Sequence, residues 1–183
     1  MRTKSGLKIA VNASDHFQGP GMAPLVLVEY GDYQCDQCGD AYGMIKKIQD
    51  DLGEQLKFVF RNLPMTTVHP DALSAALAAE AAALQCKFWP MHDLLFENQK
   101  ELSDNHFEKL ANRLNLDMNL FDAAVKKTKL KKRIEKEVEG AIRSGVNGTP
   151  TFFVNGSRYQ GDWSFAPLFN YLENILSEER MSY

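Results

Sequence analysis

The sequence predicts an α/β fold, a mixed central sheet flanked by helices, with an all-helical insertion between a βαβ half and a ββα half. Three observations predict it. A short apolar strand, Leu25–Tyr30, runs into Cys35-Asp36-Gln37-Cys38 and then into helical spacing. Residues 65–146 carry helical patterns only. After them the pattern returns to a strand, a two-residue turn, a return strand and a helix. Residues 1–64 and 147–183 therefore form the sheet-bearing domain, and 65–146 the inserted helical domain.

Taken in order, Leu7, Ile9 and Val11 alternate with Lys8 and Ala10, which predicts a short half-exposed strand. Residues 15–24 hold Gly19, Pro20, Gly21 and Pro24 and read as a loop. Leu25-Val26-Leu27-Val28-Glu29-Tyr30 is short, β-branched and apolar, as a buried strand requires. Tyr42, Ile45, Ile48 and Leu52 then recur at the spacing of one helix face. Gly53 stops that helix. Residues 56–61 form the next strand, giving a right-handed parallel crossover.

In the helical block, Pro70 and Asp71 suit a helix start. Ala72–Leu84 is apolar nearly all round and predicts a buried helix. Pro90 opens another helix, Ser103 or Asp104 caps a third, and Asp117 caps a fourth with Leu120, Phe121 and Val125 inward. Leu130, Ile134, Val138 and Ile142 line a long helix ending near Gly145. Lys131–Glu135 and Arg133–Glu137 are i,i+4 pairs, so the basic run 126–133 reads as a solvated helix face. Thr151–Val154 is a strand, Asn155-Gly156 a tight hairpin turn, Ser157–Gln160 the return strand, and Ser164 the cap of the last helix.

Cys35 thus falls where a strand ends and a helix begins. Helix-terminal N–H groups are unpaired there and the dipole is positive, which favours a thiolate. The competing reading of Cys-x-x-Cys is half of a zinc site, which needs two more ligands. The remaining candidates are Cys86 and four histidines, His16, His69, His92 and His106. Cys86 and His92 are six apart, a spacing that fits no common ligand pair. Cys86 itself reads as a buried small residue.

At 183 residues, 44% apolar and 25% charged, the chain has the composition of an ordinary globular protein. A net charge of −3 gives no case for nucleic acid. No apolar run reaches a membrane span. The start has basic residues but no apolar signal core and no cleavage site, so the chain as written is expected in the cytoplasm. If it is a mature form, a periplasmic or extracytoplasmic place is expected instead. The odd cysteine count argues against a purely structural disulfide framework.

Several linked motifs resemble the DsbA-like thiol–disulfide oxidoreductases, a thioredoxin fold with a helical insertion. They are Asp15-His16 with Gly19, the strand and turn Val28 to Cys35, the helical segment Phe88-Trp89-Pro90-Met91-His92-Asp93-Leu94-Leu95-Phe96, and Gly145 to Gly156 around Thr149-Pro150. The resemblance covers nearly the whole chain. It departs at Asp36, where the family often has proline, and at Cys86, where glycine is common. It implies a protein-disulfide oxidoreductase with no metal and no organic cofactor. The implied partners are protein or peptide thiols and disulfides, plus a redox partner that the sequence does not identify.

The resemblance further implies that Pro150 is cis and that Thr149 presents its backbone to a substrate strand. Cys35, as the outer sulfur, attacks, and the shielded Cys38 resolves the mixed disulfide. Asp36 and Gln37, between the cysteines, face the substrate. Glu29 takes the role of a buried acid relaying a proton to Cys38; periodicity alone equally allows an outward-facing strand carboxylate. The alternatives are a redox-regulated binding module or chaperone without turnover, and a zinc-binding structural protein. About 24 residues before the first core strand leave no space for a dimerisation module, so a monomer is expected.

Overall fold

The computed structural model describes residues 6–181. The basic start, residues 1–5, lies outside the described residues, as do 182–183. The strands are β1 (His16–Gln18), β2 (Leu25–Gly31), β3 (Leu56–Asn62), β4 (Thr151–Val154) and β5 (Ser157–Arg158). They form one sheet in the order β1-β3-β2-β4-β5. This is the mixed sheet of a thioredoxin-like fold. The chain packs as two compact units. One holds residues through Tyr30, Asp40–Arg61 and everything from Gly140 onward; the other holds Gly31–Gly39 and Asn62–Glu139.

In the first unit, β2 and β3 are buried along nearly their whole length, as strands without polar alternation must be. Helix α1 (Asp36–Leu52) connects them. The Leu63 N–H donates to the Gly31 carbonyl at 2.8 Å. The C-terminal ends of the two strands therefore meet, and the strands run the same way. Ala41, Ile45, Ile48 and Leu52 are the buried stripe of α1. Gly53 ends it at φ 49°, a left-handed value that carries no Cβ penalty. β4 lies antiparallel on β2, with Thr151 opposite Tyr30 and Phe152 opposite Glu29. Asn155 and Gly156 have φ of 45° and 79°, which a two-residue hairpin turn requires. β5 stops at Arg158, short of Gln160, because the chain turns there and the Tyr159 hydroxyl donates to the Asp162 carbonyl at 2.7 Å. Helix α7 (Phe165–Met181) buries Leu168, Leu172 and Leu176.

Two expectations near the start are corrected. Residues 7–11 form no strand. Their backbone is occupied otherwise: Lys8 N–H donates to Ser144 Oγ at 3.0 Å, and the Ile9 and Ala10 carbonyls accept from Arg61 at 2.8 and 3.3 Å. The predicted loop 15–24 instead contains β1, antiparallel to β3 with His16 opposite Phe60. The register is set by Asp15, whose carboxylate takes a bidentate pair from Arg61 at 2.8 and 2.9 Å. Burial alone would lower the Arg61 pKa; the Asp15 and Tyr30 hydrogen bonds outweigh it and hold it above its ordinary value.

The second unit contains α2 (Ala72–Ala83), α3 (Phe88–Glu97), α4 (Asp104–Arg113), α5 (Met118–Val125) and most of α6 (Thr128–Arg143). The alanines of α2 let α3, α4 and α5 approach closely. Asp117 caps α5, accepting from the Leu120 N–H at 3.0 Å. Leu120 itself is exposed, contrary to the periodicity; Phe121 and Ala124 make the buried face. In the first unit, Ile142 is likewise exposed and Ala141 buried in its place.

The Arg133–Glu137 pair forms at 3.4 Å, but it is not a solvated surface pair. Glu137 Oε2 accepts from the Asn62 N–H at 2.8 Å and from Asn62 Nδ2 at 3.0 Å. Arg133 also reaches the buried Glu80 at 2.7 Å. Burial, and then the Glu80 charge, push the Glu137 carboxyl up to about 7, against Arg133 and Asn62.

Candidate active site

The cysteine turn is held by residues of its own unit. Cys35 immediately precedes α1, and its carbonyl accepts from the Cys38 N–H at 2.9 Å and the Gly39 N–H at 3.1 Å. Gln99 Nε2 donates to the same carbonyl at 2.8 Å and to the Tyr33 carbonyl at 2.9 Å. A Cβ at Gly39 would collide with the Gln99 side chain, so glycine lets that side chain reach the turn. Tyr33 is buried; its hydroxyl lies 3.1 Å from His92 Nδ1 and its ring 4.9 Å from that of Phe96. Gln34 and Asp71 bracket each other, Asp71 N–H to Gln34 Oε1 at 2.7 Å and Gln34 Nε2 to Asp71 Oδ2 at 3.0 Å. Asp32 accepts from the Gln34 and Met65 N–H groups, both at 2.7 Å, and its Oδ2 lies 2.8 Å from His69 Nδ1.

The two cysteines are unequal. Cys38 is fully buried and Cys35 is 8% exposed. Cys35 is thus more enclosed than a strand–helix junction suggested. Asp36 and Gln37 are exposed. A helix N-terminus presents unpaired N–H groups and a positive dipole to Cys35, and the Asp36 carboxylate acts against them.

Glu29, Thr149 and Pro150 belong to the other unit. Glu29 is 2% exposed, so the outward-facing reading is excluded; β2 is a central strand. The Thr149–Pro150 bond is cis. Beside it, a cleft of about 380 Å³ is lined by Pro150, Thr151, Phe152, Tyr159, Gly161 and Trp163. Sequence reasoning passed over Trp163 and Tyr159, two aromatics in a Gly-containing turn segment.

Cys86 is exposed, not buried. Its N–H donates to the Ala83 carbonyl at 3.0 Å, and the Lys87 N–H donates to Ala82 at 2.9 Å. These two bonds make a Schellman end to α2, with Cys86 in its left-handed position at φ 59°. That is why glycine is the usual residue there. Among the described residues, no group of three or more His, Cys, Asp or Glu side chains is placed to hold a metal ion.

The model of a thioredoxin family matches residues 11–174. The chain belongs to that family. Its fold is that of DsbA-like proteins. It superposes on the thiol-disulfide exchange protein alpha-DsbA2 of Wolbachia pipientis with a TM-score of 0.79, at 21% identity over 90% of this chain and 88% of that one. BdbD of Bacillus subtilis, in its oxidised form, gives 0.75 at 25% identity over 88% and 92%. Among curated proteins, a Na(+)/H(+) antiporter NhaA of Salinispora arenicola is 44% identical over 154 residues, 84% of this chain but 24% of the antiporter. An NhaA of Herminiimonas arsenicoxydans is 40% identical over 149 residues, again 24% of its length. This chain spans about a quarter of these relatives. A match to 154 of its 183 residues necessarily includes Cys35 and Cys38. Among the described residues no helix is long and apolar enough to cross a membrane.

Proposed function

We propose that this chain exchanges disulfides with protein or peptide thiols through Cys35 and Cys38. The observation that carries the proposal is their inequality: Cys35 precedes the first turn of α1 with some exposure, and Cys38 is wholly buried one turn in. The Cys35 thiolate attacks a substrate disulfide, and one substrate sulfur leaves as thiolate. Cys38 then loses its proton and attacks the Cys35 sulfur. The mixed disulfide breaks, the substrate departs with two thiols, and Cys35–Cys38 is left oxidised. The reverse sequence oxidises a substrate.

Glu29 is the buried acid that exchanges the Cys38 proton. The Thr149 backbone pairs with an extended substrate strand, with Pro150 fixing its course. Thr151, next in sequence, stands opposite Tyr30, five residues before Cys35, which supports a shared role for these segments. Asp36 and Gln37 contact the substrate at the exposed edge of the turn. The chemistry uses sulfur alone, without metal or organic cofactor, and the chain works as a monomer with a separate redox partner. Residues 1–64 and 147–183 serve as the thioredoxin-like domain and 65–146 as its inserted helical domain. Compartment sets the direction: reduction in the cytoplasm, oxidation in the periplasm or outside.

The antiporter names do not carry ion transport to this chain. The stretch of this chain that matches them includes Cys35 and Cys38, and we assign the redox chemistry to it. Insulin disulfide reduction tests the proposal: turnover with a dithiol reductant, abolished in Cys35→Ser. A folded protein that binds peptides but shows no Cys35-dependent turnover would instead be a redox-regulated binding module.

A further inference from the structure

We infer that Asp32 and His69 together set the redox balance of the Cys35–Cys38 pair. Asp32 acts as a positioning residue for the Cys38 sulfur, and His69 supplies the counter-charge to its carboxylate. The inference rests on the oxidoreductase reading and deepens it. The Asp32 main chain touches the site directly, its N–H donating to Cys38 Sγ at 3.4 Å. Its side chain has no exposure, yet it carries a carboxylate. An uncompensated carboxylate in such a place is costly, and this one is met from three sides, by two backbone N–H groups and by His69 Nδ1 at 2.8 Å. Of the three, only His69 can bring a charge. Its side chain is 26% exposed, whereas that of Asp32 is fully enclosed.

Other ionisable groups near the turn are Cys35 and Asp36 on the turn itself, Asp71 behind Gln34, Tyr33 with His92 behind it and, three residues before Asp32 in the chain, Glu29. Reduction of the pair by glutathione breaks the Cys35–Cys38 bond. Two glutathione thiols supply two electrons and two protons and become one glutathione disulfide. A negative charge on Asp32, whose main-chain N–H meets Cys38 Sγ, disfavours any thiolate in the reduced form and thereby favours the disulfide; a protonated His69 cancels part of that effect.

Removing the two charges must therefore move the equilibrium in opposite directions, which loss of packing alone does not do. The test is equilibration with glutathione at about pH 6, with alkylation and mass spectrometry to count reduced and oxidised Cys35–Cys38. Asp32→Asn is expected to raise the reduction constant roughly tenfold, or about 30 mV. His69→Gln, which keeps a donor and loses the charge, is expected to lower it about threefold. A thermal melt accompanies both. If Asp32→Asn does not fold, His69→Gln decides alone: no change or a rise overturns the inference. Shifts of the same sign in both variants also overturn it. A wild-type protein that reaches no Cys35–Cys38 equilibrium at all would overturn the oxidoreductase reading instead.

Discussion

A side chain at φ 59° strains its own backbone by about 1 kcal/mol, and Cys86 sits there with an exposed thiol. Cys86→Gly is therefore expected to stabilise the protein by about 0.5–1 kcal/mol, the gain being reduced by the greater unfolded-state entropy of glycine. It also removes a thiol free to form intermolecular disulfides, and it leaves insulin reduction close to the parent rate. Denaturant melts and a non-reducing gel check the two parts. A large loss of turnover would mark Cys86 as a third redox thiol. Asp36 presents a different balance. A carboxylate on the order of 6 Å from a thiolate, at an effective dielectric of about 60, repels it by about 1 kcal/mol. With about 1.4 kcal/mol corresponding to roughly 30 mV, and with salt screening at this exposed site, Asp36→Asn should raise the reduction potential by about 10–20 mV. A glutathione titration measures it; an unchanged or lower potential would mean the carboxylate points away from the sulfur.

At the scale of elements, α2, α6 and the end of β3 meet around two carboxylates, Glu80 and Glu137, with one guanidinium, Arg133. The Glu137 carboxyl is pushed from 4.5 to about 7, first by burial and then by Glu80. The folded protein therefore holds a proton there that the unfolded chain has released. This group's contribution to stability is full below about pH 4.5 and is lost as pH rises through about 7. Glu137→Gln mimics the protonated form and keeps an oxygen to accept from Asn62. Its stability relative to the parent should improve between pH 5 and 8 by up to about 3 kcal/mol. Urea melts at the two pH values give the difference; a constant offset would mean that Glu137 stays ionised throughout.

On the scale of the whole molecule, polar contacts join segments far apart in sequence. Arg61 ties residues 9, 10 and 15 to the β2–β3 centre of the sheet through five hydrogen bonds. Its guanidinium stays charged, so removing the partner leaves a buried charge unpaired. Asp15→Ala is expected to cost about 3–5 kcal/mol, to free residues 7–11 and to dissolve β1 from the sheet edge. Hydrogen exchange should show lost protection at residues 8–18 while β2 and β4 keep theirs. Unchanged protection there would mean that the β1–β3 ladder holds without the ion pair.

What the sequence determined by itself is whatever is encoded within a few residues. The apolar runs of β2 and β3, the Asn155-Gly156 turn, the Gly53 stop and the 3.6-residue stripe of α1 depend on local sterics and periodicity. The place of Cys35 at a strand–helix junction follows from them. Only the tertiary structure decided which polar groups surround the cysteines. Asp32 and His69 are 37 residues apart, Cys35 and Gln99 64, and Asn62 and Glu137 75. No short-range pattern couples such pairs. The same reason explains the misread positions. His16–Gln18 becomes a strand because β3 offers an edge, and residues 7–11 do not because Arg61 takes the Ile9 and Ala10 carbonyls. Leu120 and Ile142 fit the helical period but face solvent, since burial depends on which neighbour covers a face and not on the period alone.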